Sequence, residues 1–499
     1  MAYDVLVIGS GLGGLLSASI LSKEGFKVCV VEKNPRIGGC LQSFARDGVV
    51  FNTGLNYTES LDRGQVLYQY FKYVGIYDRL RLRKMDEDAF ERITFEGDPV
   101  EYHYSQGEDR FIEALASRFP NEKSGIINYI EKLRHLSHSF PLYDLEIKGN
   151  STSLNEYYYT NTRKFLESLT KDEKLRSVLA ATNPLYAGIS EKTPLYIHGI
   201  INYSFMKSAW RLVDGSSQLA KELAAKIREN GGEIFRNKKV ESIVLREKRA
   251  IAVKTADGDR MEANNIISNV HPAVTMKMIG EGELNNAYRR RIQSMENTIG
   301  MFTLYAVLNE NSFPYLNYNI YHYTSDDVWK GYHYNENEWP PYVMAYTPAI
   351  SGGSGFANAL IAITYMHYDE VKKWENTTVE NRGKEYTDFK ERKAELLINT
   401  LEKRIPGIRQ KIAKYYTSTP LTYRDYTGTL NGSSYGIVKD SADPLRSLLM
   451  PKTRISNLYL TGQNLNLHGI LGVSVNALLT CSEFLGMDYL IKNVKNADL

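Results

Sequence analysis

Cysteine is scarce in this sequence, and its scarcity excludes several classes of protein. Three cysteines, Cys29, Cys40 and Cys481, occur among 499 residues, with no CxxC pair and no metal-type spacing to the nine histidines. An odd and sparse set of this kind provides neither a disulfide framework nor a zinc site. We therefore predict a reducing compartment and no bound metal.

Long apolar runs are missing as well. No stretch reaches the roughly 18 consecutive apolar residues that a membrane-spanning helix needs. The apolar N-terminus is unlike a secretory signal, because Asp4 lies where such signals carry basic residues and glycines interrupt the run. The sequence predicts a cytoplasmic protein, with peripheral attachment to a membrane as the one form of membrane contact left open.

Neither sign of charge dominates. The chain has 61 Lys and Arg residues against 58 Asp and Glu, for a formal net charge of +3, and its basic clusters at 236–239, 246–249 and 289–291 are short. Such clusters are typical of solvated surfaces, and an anionic membrane surface is the alternative. We do not expect nucleic-acid binding, because no reading motif accompanies the basic residues.

Tyrosine, by contrast, is abundant. The chain has 36 tyrosines, which are dense at 157–159, 315–346 and 415–435. A tyrosine combines a flat apolar ring with one hydroxyl group, so a dense set can line a tunnel for an apolar ligand or form an interfacial face. Ordinary aromatic packing explains the same abundance. The length of the chain favours two domains.

The N-terminus has the order strand, helix, strand. The apolar run 4–8 is typical of a strand buried on both faces, residues 12–23 have helical character, and residues 27–32 form a second strand. A strand that turns into a helix and is followed by a second strand is the unit that binds dinucleotides in many enzymes.

The turn between the first strand and the helix carries the glycines of that unit. Gly9 permits the tight turn, Gly11 lets the backbone approach a pyrophosphate, and Gly14 allows the helix to pack closely on the strand. Ser10 and Gly13 belong to the same loop, and the helix N-terminus favours phosphate charge. The motif predicts a dinucleotide site.

An acidic residue follows in register. Glu32 ends the second strand, where a carboxylate can accept a hydrogen bond from a ribose hydroxyl group. Lys33 comes directly after it and is able to attract a 2′-phosphate instead, which leaves NADP open.

Further segments alternate in type. We predict a largely helical insertion over 65–205, with helices at 111–119 and 126–140. Short strands are predicted at 240–245, 251–255, 266–268, 301–308, 342–347, 359–365 and 458–460. Later helices are predicted at 217–228, 386–403 and about 473–485.

The continuation of the motif resembles a family of flavoproteins. Two segments carry the resemblance: Glu32-Lys33-Asn34-Pro35-Arg36-Ile37-Gly38-Gly39-Cys40 and Phe51-Asn52-Thr53-Gly54. They are similar to phytoene desaturases, carotenoid isomerases, retinol saturases and amine oxidases. Shorter similar islands lie at 214–219, 267–272, 419–420, 435–436, 460–464, 469 and 472. The islands are most similar to the retinol saturase and carotenoid isomerase branch.

The resemblance implies FAD as the cofactor and a particular set of residues around it. The second glycine pair is implied to lie by the cofactor, the backbone at Val240 to contact adenine, and the C-terminal motif to meet the ribityl and pyrophosphate groups. The implied cofactor-binding residues are Gly9, Ser10, Gly11, Gly13, Gly14, Glu32, Lys33, Gly39, Cys40, Val240, Gly462, Gln463, Gly472 and Val473. The last helix is expected to point its positive end at the pyrimidine side of the flavin.

Some positions depart from the family pattern. Cys40 stands where amine oxidases carry an arginine, and Gln463 stands where many desaturases carry an acidic residue. Saturase-like sequences show the same two differences. Asn52 and Asn56 stand where saturase-like sequences carry aspartate and histidine, so retinol itself does not follow from the resemblance. We expect Tyr57, Tyr435 and His468 to face the substrate.

The resemblance also implies a fold. It is α/β, with a Rossmann-like FAD-binding domain and a discontinuous α+β substrate domain that contains a mixed or antiparallel sheet. We assign 1–65, 206–275 and 420–499 to the FAD-binding domain, and 66–205 and 276–419 to the substrate-binding domain.

The implied activity is that of an FAD-dependent oxidoreductase that acts on C=C or CH–CH bonds of a hydrophobic polyene or prenoid lipid, by hydride exchange with flavin N5. One alternative is a flavin amine or amino-acid oxidase, and another is a flavin-containing lipid-binding protein without catalysis. The sequence singles out no catalytic acid or base. It leaves open the substrate, the direction of the reaction, the oligomeric state, and whether NAD(P) or a quinone is the redox partner.

Overall fold

The computed structural model describes residues 2–146, 152–352 and 355–498. Two seven-stranded sheets organise this part of the chain. The strands are β1 Tyr3–Ile8, β2 Val28–Val31, β3 Ser43–Arg46, β4 Val49–Asn52, β5 Thr58–Glu59, β6 Leu82–Lys84, β7 Glu91–Phe95, β8 Tyr102–Tyr104, β9 Ala209–Leu212, β10 Glu233–Phe235, β11 Val240–Arg246, β12 Arg249–Thr255, β13 Arg260–Ser268, β14 Gly300–Leu308, β15 Asn319–Tyr323, β16 Tyr342–Tyr346, β17 Ala359–Met366, β18 Ile412–Ser418 and β19 Leu458–Leu460.

The helices lie between these strands and at the C-terminal end. They are α1 Leu12–Lys23, α2 Val66–Tyr73, α3 Glu108–Ala116, α4 Lys123–His138, α5 Pro141–Asp144, α6 Thr152–Tyr159, α7 Thr162–Leu169, α8 Glu173–Leu179, α9 Leu195–Lys207, α10 Ser217–Glu229, α11 Pro272–Met278, α12 Asn286–Gln293, α13 Lys384–Arg404, α14 Ile408–Lys411, α15 Pro420–Thr427, α16 Pro444–Ser447, α17 Gly469–Leu485 and α18 Met487–Lys495.

The first sheet has the strand order β10-β2-β1-β13-β12-β11, and β19 also pairs with β13. Strands β10, β2, β1, β13 and β19 run parallel, whereas β11 and β12 extend the sheet by antiparallel pairing. Successive residues of β1 pack on opposite faces: Val5 and Val7 join the core formed with α1, α10 and α17, and Leu6 and Ile8 join the core formed with α11 and α12. Both faces are covered, as in doubly wound dinucleotide folds.

The second sheet has the strand order β18-β14-β17-β16-β15-β7-β8. It is mixed, because β15 and β7 pair in parallel while its other pairs are antiparallel. Helices α3, α4 and α9 share its core. Many of the abundant tyrosines lie inside this core, including Tyr321, Tyr323, Tyr342, Tyr346 and Tyr365, each at most 1% exposed. The predicted fold class, an α/β dinucleotide-binding unit with an α+β unit that contains a mixed sheet, is confirmed.

Several elements differ from the predictions. The predicted helical insertion over 65–205 contains β7 and β8, and the unpredicted β15 and β18 complete the same sheet. The alternation of apolar and polar residues that predicts a strand is interrupted at β7 and β15, because the polar residues Glu91 and Asn319 occupy buried positions. Helix α17 begins at Gly469 rather than about Val473. Gly472 does not break it, since the missing side chain makes room for Leu467, whose Cβ would lie 2.8 Å from a Cβ at position 472.

The described residues include neither a membrane-spanning helix nor a cluster of metal-binding side chains. Within 2–146, 152–352 and 355–498, no helix has the length and apolar character to cross a bilayer. Over the same ranges, no group of three or more His, Cys, Asp or Glu side chains is arranged to hold a metal ion.

Candidate functional site

The glycine turn after β1 is packed so closely that side chains do not fit. Gly9 has a φ of +93° and its N–H donates to the carbonyl of Val31, 2.8 Å away. A Cβ on Gly14 would lie 2.1 Å from the Gly9 carbonyl oxygen. Helix α1 starts directly after Gly11, with no side chain capping it and no acidic residue in its first turn. Its first N–H groups are therefore left for another acceptor.

Glu32 fixes this turn from the end of β2. Its Oε2 accepts hydrogen bonds from the N–H and the hydroxyl of Ser10, at 2.9 and 2.6 Å, and its Oε1 accepts one from the N–H of Asn34 at 2.9 Å. The side chain is buried at 6% exposure. Since a carboxylate oxygen can accept two hydrogen bonds, Oε1 retains capacity for one more donor.

The second glycine pair lies against the first turn. Gly38 pairs with Gly11 as a parallel bridge and donates to the Ser10 carbonyl at 3.0 Å. A Cβ on Gly39 would come within 3.4 Å of the Gly11 Cα. Cys40 follows, and Gly54 packs directly on it. Burial raises the pKa of the Cys40 thiol to about 11, so the thiol is neutral at ordinary pH.

The C-terminal motif and Asn269 both pack against the same turn. A Cβ on Gly13 would lie 2.6 Å from Asn269 Oδ1 and 2.8 Å from the Cα of Gly462. Asn269 also lies 2.9 Å from the position of a Cβ on Gly11, and its backbone N–H donates to the carbonyl of Ile8. Asn269 belongs to one of the islands noted in the sequence, but its contact with the glycine turn is not apparent from local pattern.

Two further residues hold the loop of the C-terminal motif, and sequence reasoning missed both. The Asn476 side chain donates to the carbonyls of Gly462 and Leu467, at 2.9 and 2.8 Å. The buried Lys439 ammonium donates to three carbonyls, those of Ser447, Asn464 and Leu465, at 2.7, 3.1 and 2.6 Å. The loop from 462 to 468 is thus fixed from both sides.

Helix α17 begins at the end of this loop, and a buried carboxyl group meets it. Glu59 Oε1 accepts a hydrogen bond from the N–H of Leu471, in the first turn, at 3.2 Å. Burial raises the pKa of Glu59 to about 7, while this backbone N–H and the hydroxyl of Thr58 oppose the shift. Glu59 was not a predicted site residue, because nothing in the local sequence indicates that β5 meets the last helix.

Of the three side chains expected to face the substrate, Tyr435 and His468 are in contact with each other. The rings of Tyr435 and His468 have centroids 4.3 Å apart and planes tilted by 33°. The Tyr435 hydroxyl donates to the Pro184 carbonyl at 3.0 Å, and His468 Nε2 lies 3.0 Å from the Leu185 carbonyl. Burial lowers the pKa of His468 to about 4, so its ring is neutral.

The third, Tyr57, lies on the segment between Gly54 and Glu59. Its ring packs on Phe205 at a centroid distance of 4.4 Å, and its hydroxyl lies 3.4 Å from that of Tyr321. Tyr57 therefore occupies the boundary between the glycine turns and the tyrosine-rich sheet. A closed cavity of about 20 Å³ lies beside His468.

The remaining predicted residues vary in position. Val240 is buried at the start of β11 in the same core as Val31. Val473 is buried in α17, and Gln463 is half-buried in the loop. Lys33 is exposed, and its ammonium lies 3.1 Å from the position of a Cβ on Gly428.

The residues present fit a flavin dinucleotide. The uncapped, buried N-terminus of α1 and the glycine loop would hold the pyrophosphate, Glu32 Oε1 would accept a ribose hydroxyl, and the loop from 462 to the start of α17 would meet the flavin end. Bound FAD supplies hydride exchange at N5. The surrounding chain supplies a dry, tightly fixed backbone.

Comparison with known proteins agrees with this geometry. A family model described as flavin containing amine oxidoreductase matches residues 12–303, more than half of the chain. Human all-trans-retinol 13,14-reductase is 25% identical over 99% of this chain and 87% of its own length. Chloroplastic prolycopene isomerase of Arabidopsis thaliana is 26% identical over 93% of this chain and 79% of its own length.

The fold also matches a solved enzyme. A structure of putrescine oxidase bound to putrescine superimposes with a TM-score of 0.65, over 97% of this chain and 99% of that chain. At 14% identity this likeness concerns the fold alone. The family match over more than half of the chain shows that FAD is the cofactor and that the chain belongs to the flavin-containing amine oxidoreductase family.

Proposed function

We propose that this flavin oxidoreductase acts on carbon–carbon double or single bonds of an isoprenoid polyene. The observation that carries the proposal is similarity over nearly the whole chain to two relatives, one named as a reductase of retinol and one as an isomerase of prolycopene. Retinol and prolycopene are both isoprenoid polyenes. The sequence likeness to these relatives runs through both sheets, whereas the likeness to putrescine oxidase concerns the fold alone, which favours polyenes over amines.

The chemistry of the second sheet supports an apolar substrate. Tyr57, Tyr321 and Tyr435 lie where the tyrosine-rich core adjoins the candidate flavin loop, and all three phenols stay neutral because burial raises their pKa. The histidine beside them is neutral too. Neutral aromatic surroundings suit a polyene.

The test begins with the visible absorption spectrum of the purified protein and the mass of the cofactor that heat or acid releases. Anaerobic titration with a panel of carotenoids and retinoids follows, with the flavin either oxidised or chemically reduced. We expect FAD bands that bleach or recover with at least one polyene. Peroxide release with amines and no reaction with any polyene would identify an amine oxidase instead.

We further propose that a nicotinamide or a quinone exchanges electrons with the flavin. The proposal follows from the hydride chemistry, which requires a second redox partner in each catalytic cycle of saturation or desaturation. Anaerobic mixing with NADH, NADPH and a quinol, followed at the flavin band, distinguishes the candidates. Lack of flavin reduction by all three, or of reoxidation by NAD(P)⁺ and quinone, would contradict the proposal.

A surface at α16 supports peripheral membrane contact, which we propose as the route to a bilayer-dissolved substrate. Leu445 and Met450 are 73% and 63% exposed. Beside them, Arg290, Arg291 and Arg446 line a surface depression of about 500 Å³. Exposed apolar side chains next to arginines suit the boundary of an anionic bilayer.

Vesicle sedimentation tests this contact. We expect binding to phosphatidylglycerol vesicles that weakens with salt and with the double substitution Leu445→Ser, Met450→Ser, and little binding to phosphatidylcholine vesicles. The exposed Leu396 on α13 provides a matched control substitution, Leu396→Ser. Equal binding to both vesicle types, or no effect of the double substitution, would place the contact elsewhere.

A further inference from the structure

Three charged or polar side chains are buried together where the neighbouring strands β7 and β15 of the second sheet begin. Glu91 begins β7 and Asn319 begins β15, and the two are register partners in the parallel pair. Arg211 lies on β9 and reaches the same place. Glu91 and Asn319 are 0% exposed and Arg211 is 1% exposed. We call these residues the buried polar cluster.

The hydrogen bonds of the cluster are incomplete. The Arg211 guanidinium donates to the carbonyls of Asn56 and Tyr318 and to Asn319 Oδ1, at 3.4, 2.9 and 2.8 Å. Four polar atoms lack any partner with hydrogen-bond geometry: Glu91 Oε1, Glu91 Oε2, Arg211 Nε and Asn319 Nδ2. Buried polar atoms without partners are rare, and each costs about 1–3 kcal/mol. A cluster with free donors and free acceptors therefore calls for a functional explanation.

The cluster adjoins the candidate flavin site through one short segment. Gly54 packs on Cys40, the carbonyl of Asn56 accepts from Arg211, and Glu59 meets the first turn of α17. Tyr57 lies in the middle of this segment, close enough to Glu91 that each affects the pKa of the other. Tyr57 thus lies between the buried polar cluster, which Asn56 contacts through Arg211, and the boundary of the flavin site.

Glu91 holds a proton at neutral pH. Burial raises the pKa of Glu91 to about 8, and the nearby Tyr57, Asn319 and Arg211 act in the opposite direction without cancelling it. The titratable and charged groups that face it are Tyr57, Tyr104, Tyr321 and Arg211. Burial raises the pKa of all three phenols well above the ordinary value, and a guanidinium keeps its charge. A titration near pH 8 at this place therefore reports Glu91.

We propose that Tyr57 and Glu91 form a proton relay, in which Tyr57 exchanges a proton with the substrate carbon and Glu91 exchanges it with Tyr57. The relay rests on the proposed function, and it supplies an acid or base to the substrate carbon. In saturation, one carbon of the C=C bond would gain the hydride that bound, reduced FAD would supply. The π electrons form the new C–H bond at the other carbon with the phenolic proton of Tyr57, and the phenolate takes the proton of Glu91.

The free donors of the cluster complete this step. Once Glu91 has given up its proton, the nearby Arg211 and Asn319 stabilise the new carboxylate, since both lower the pKa of Glu91. Proton uptake from solvent then restores Glu91. In desaturation the same atoms act in reverse order: the C–H proton passes to Tyr57 and Glu91 while a hydride leaves to oxidised FAD.

The test uses the FAD-loaded enzyme and two conservative substitutions, Glu91→Gln and Tyr57→Phe. The polyene found with the panel is mixed anaerobically with the enzyme in the reactive redox state, and the flavin band is followed between about pH 6 and pH 10. We expect both variants to react about 10²–10⁴-fold more slowly, the usual contribution of a positioned acid or base, with unchanged polyene affinity. The wild-type rate of saturation should fall above about pH 8, and the rate of Glu91→Gln should not.

The matched control is Tyr104→Phe. Tyr104 is the register partner of Glu91 on β8 and is equally buried, but its hydroxyl donates to the carbonyl of Val178 at 2.6 Å instead of joining the relay. We expect the wild-type rate and pH profile from it. Slowing of all three variants alike would show a packing effect and overturn the relay.

A second readout does not depend on turnover. The infrared difference spectrum of the resting protein between about pH 6 and pH 10 should contain the C=O stretching bands of two protonated carboxyl groups, Glu59 and Glu91. The band that titrates near pH 8 should be absent in Glu91→Gln and shifted in Tyr57→Phe, while the band absent in Glu59→Gln should remain. A spectrum of Glu91→Gln identical to that of the wild type, or wild-type rates in both relay variants, would overturn the relay while leaving the proposed function intact. A wild-type enzyme that reacts with no polyene would overturn the proposed function and the relay with it.

Discussion

Gly14 is the residue at which the nucleotide-binding turn has the least room. Alanine is favoured over glycine by about 1 kcal/mol inside a helix, but here its Cβ would lie 2.1 Å from the Gly9 carbonyl oxygen. We expect Gly14→Ala to lower the free energy of unfolding by about 1–3 kcal/mol, as overpacking does, and to yield protein without FAD. Denaturant unfolding and the flavin spectrum measure the two effects.

Gly280 provides the control for this substitution. It is exposed, its φ is not in the left-handed region, and a Cβ there would meet only Glu283 Cγ at 3.8 Å. Gly280→Ala should leave both stability and FAD content unchanged. A Gly14→Ala protein that retains FAD at wild-type stability would mean that α1 can shift away from β1 without loss.

Both carboxylate oxygens of Glu32 act as hydrogen-bond acceptors. The Ser10 N–H and hydroxyl both donate to Oε2 and the Asn34 N–H donates to Oε1, so an amide in this place must direct its NH₂ group at a donor. We expect Glu32→Gln to retain FAD about 10–100-fold more weakly, because a hydrogen bond to a charged group contributes about 1.5–3 kcal/mol. Equilibrium dialysis of the flavin measures this change, and the exposed Glu241→Gln should not show it.

At the scale of single elements, the loop from 462 to 468 is held in place by groups distant in sequence. Lys439→Met would keep the length of the side chain but leave the carbonyls of Ser447, Asn464 and Leu465 without their shared donor. We expect a loss of about 1–3 kcal/mol in stability and a weaker hold on FAD. The exposed Lys452→Met is the control, and equal melting temperatures for both variants would show that the loop keeps its form without Lys439.

The individual strands, helices and loops show which features can be predicted from the sequence and which cannot. The turn from β1 to α1 was predictable, because Gly9, Gly11 and Gly14 act on neighbours within a few residues and Glu32 follows at a fixed distance. The roles of Asn269 and Asn476 were not, because each depends on a contact with a loop far away in sequence. Strand β7 was missed for a related reason: its first residue, Glu91, is polar and fully buried, so the apolar pattern of a strand is absent.

At the scale of the whole molecule, two buried carboxyl groups make stability depend on pH. Burial raises the pKa of Glu59 to about 7 and that of Glu91 to about 8, against ordinary values near 4.5. The folded protein therefore binds protons that the unfolded chain releases between about pH 4.5 and pH 8. Their protonated forms stabilise the fold fully below the ordinary value, and this contribution is lost as the pH rises toward 7 for Glu59 and 8 for Glu91.

We therefore expect Glu59 and Glu91 together to lower the free energy of unfolding of the FAD-free protein by a few kcal/mol between about pH 5 and pH 9, measured as the difference between the wild type and the glutamine variants, since each pKa unit corresponds to about 1.4 kcal/mol. Glu91→Gln should flatten this fall, most of all above pH 7, because glutamine carries no charge to bury at high pH. Glu59→Gln should flatten the part below pH 7. Urea unfolding at a series of pH values separates the two. Glutamine variants whose stability changes with pH just as the wild type does would mean that both carboxyl groups are ionised in the fold, with partners strong enough to offset their burial.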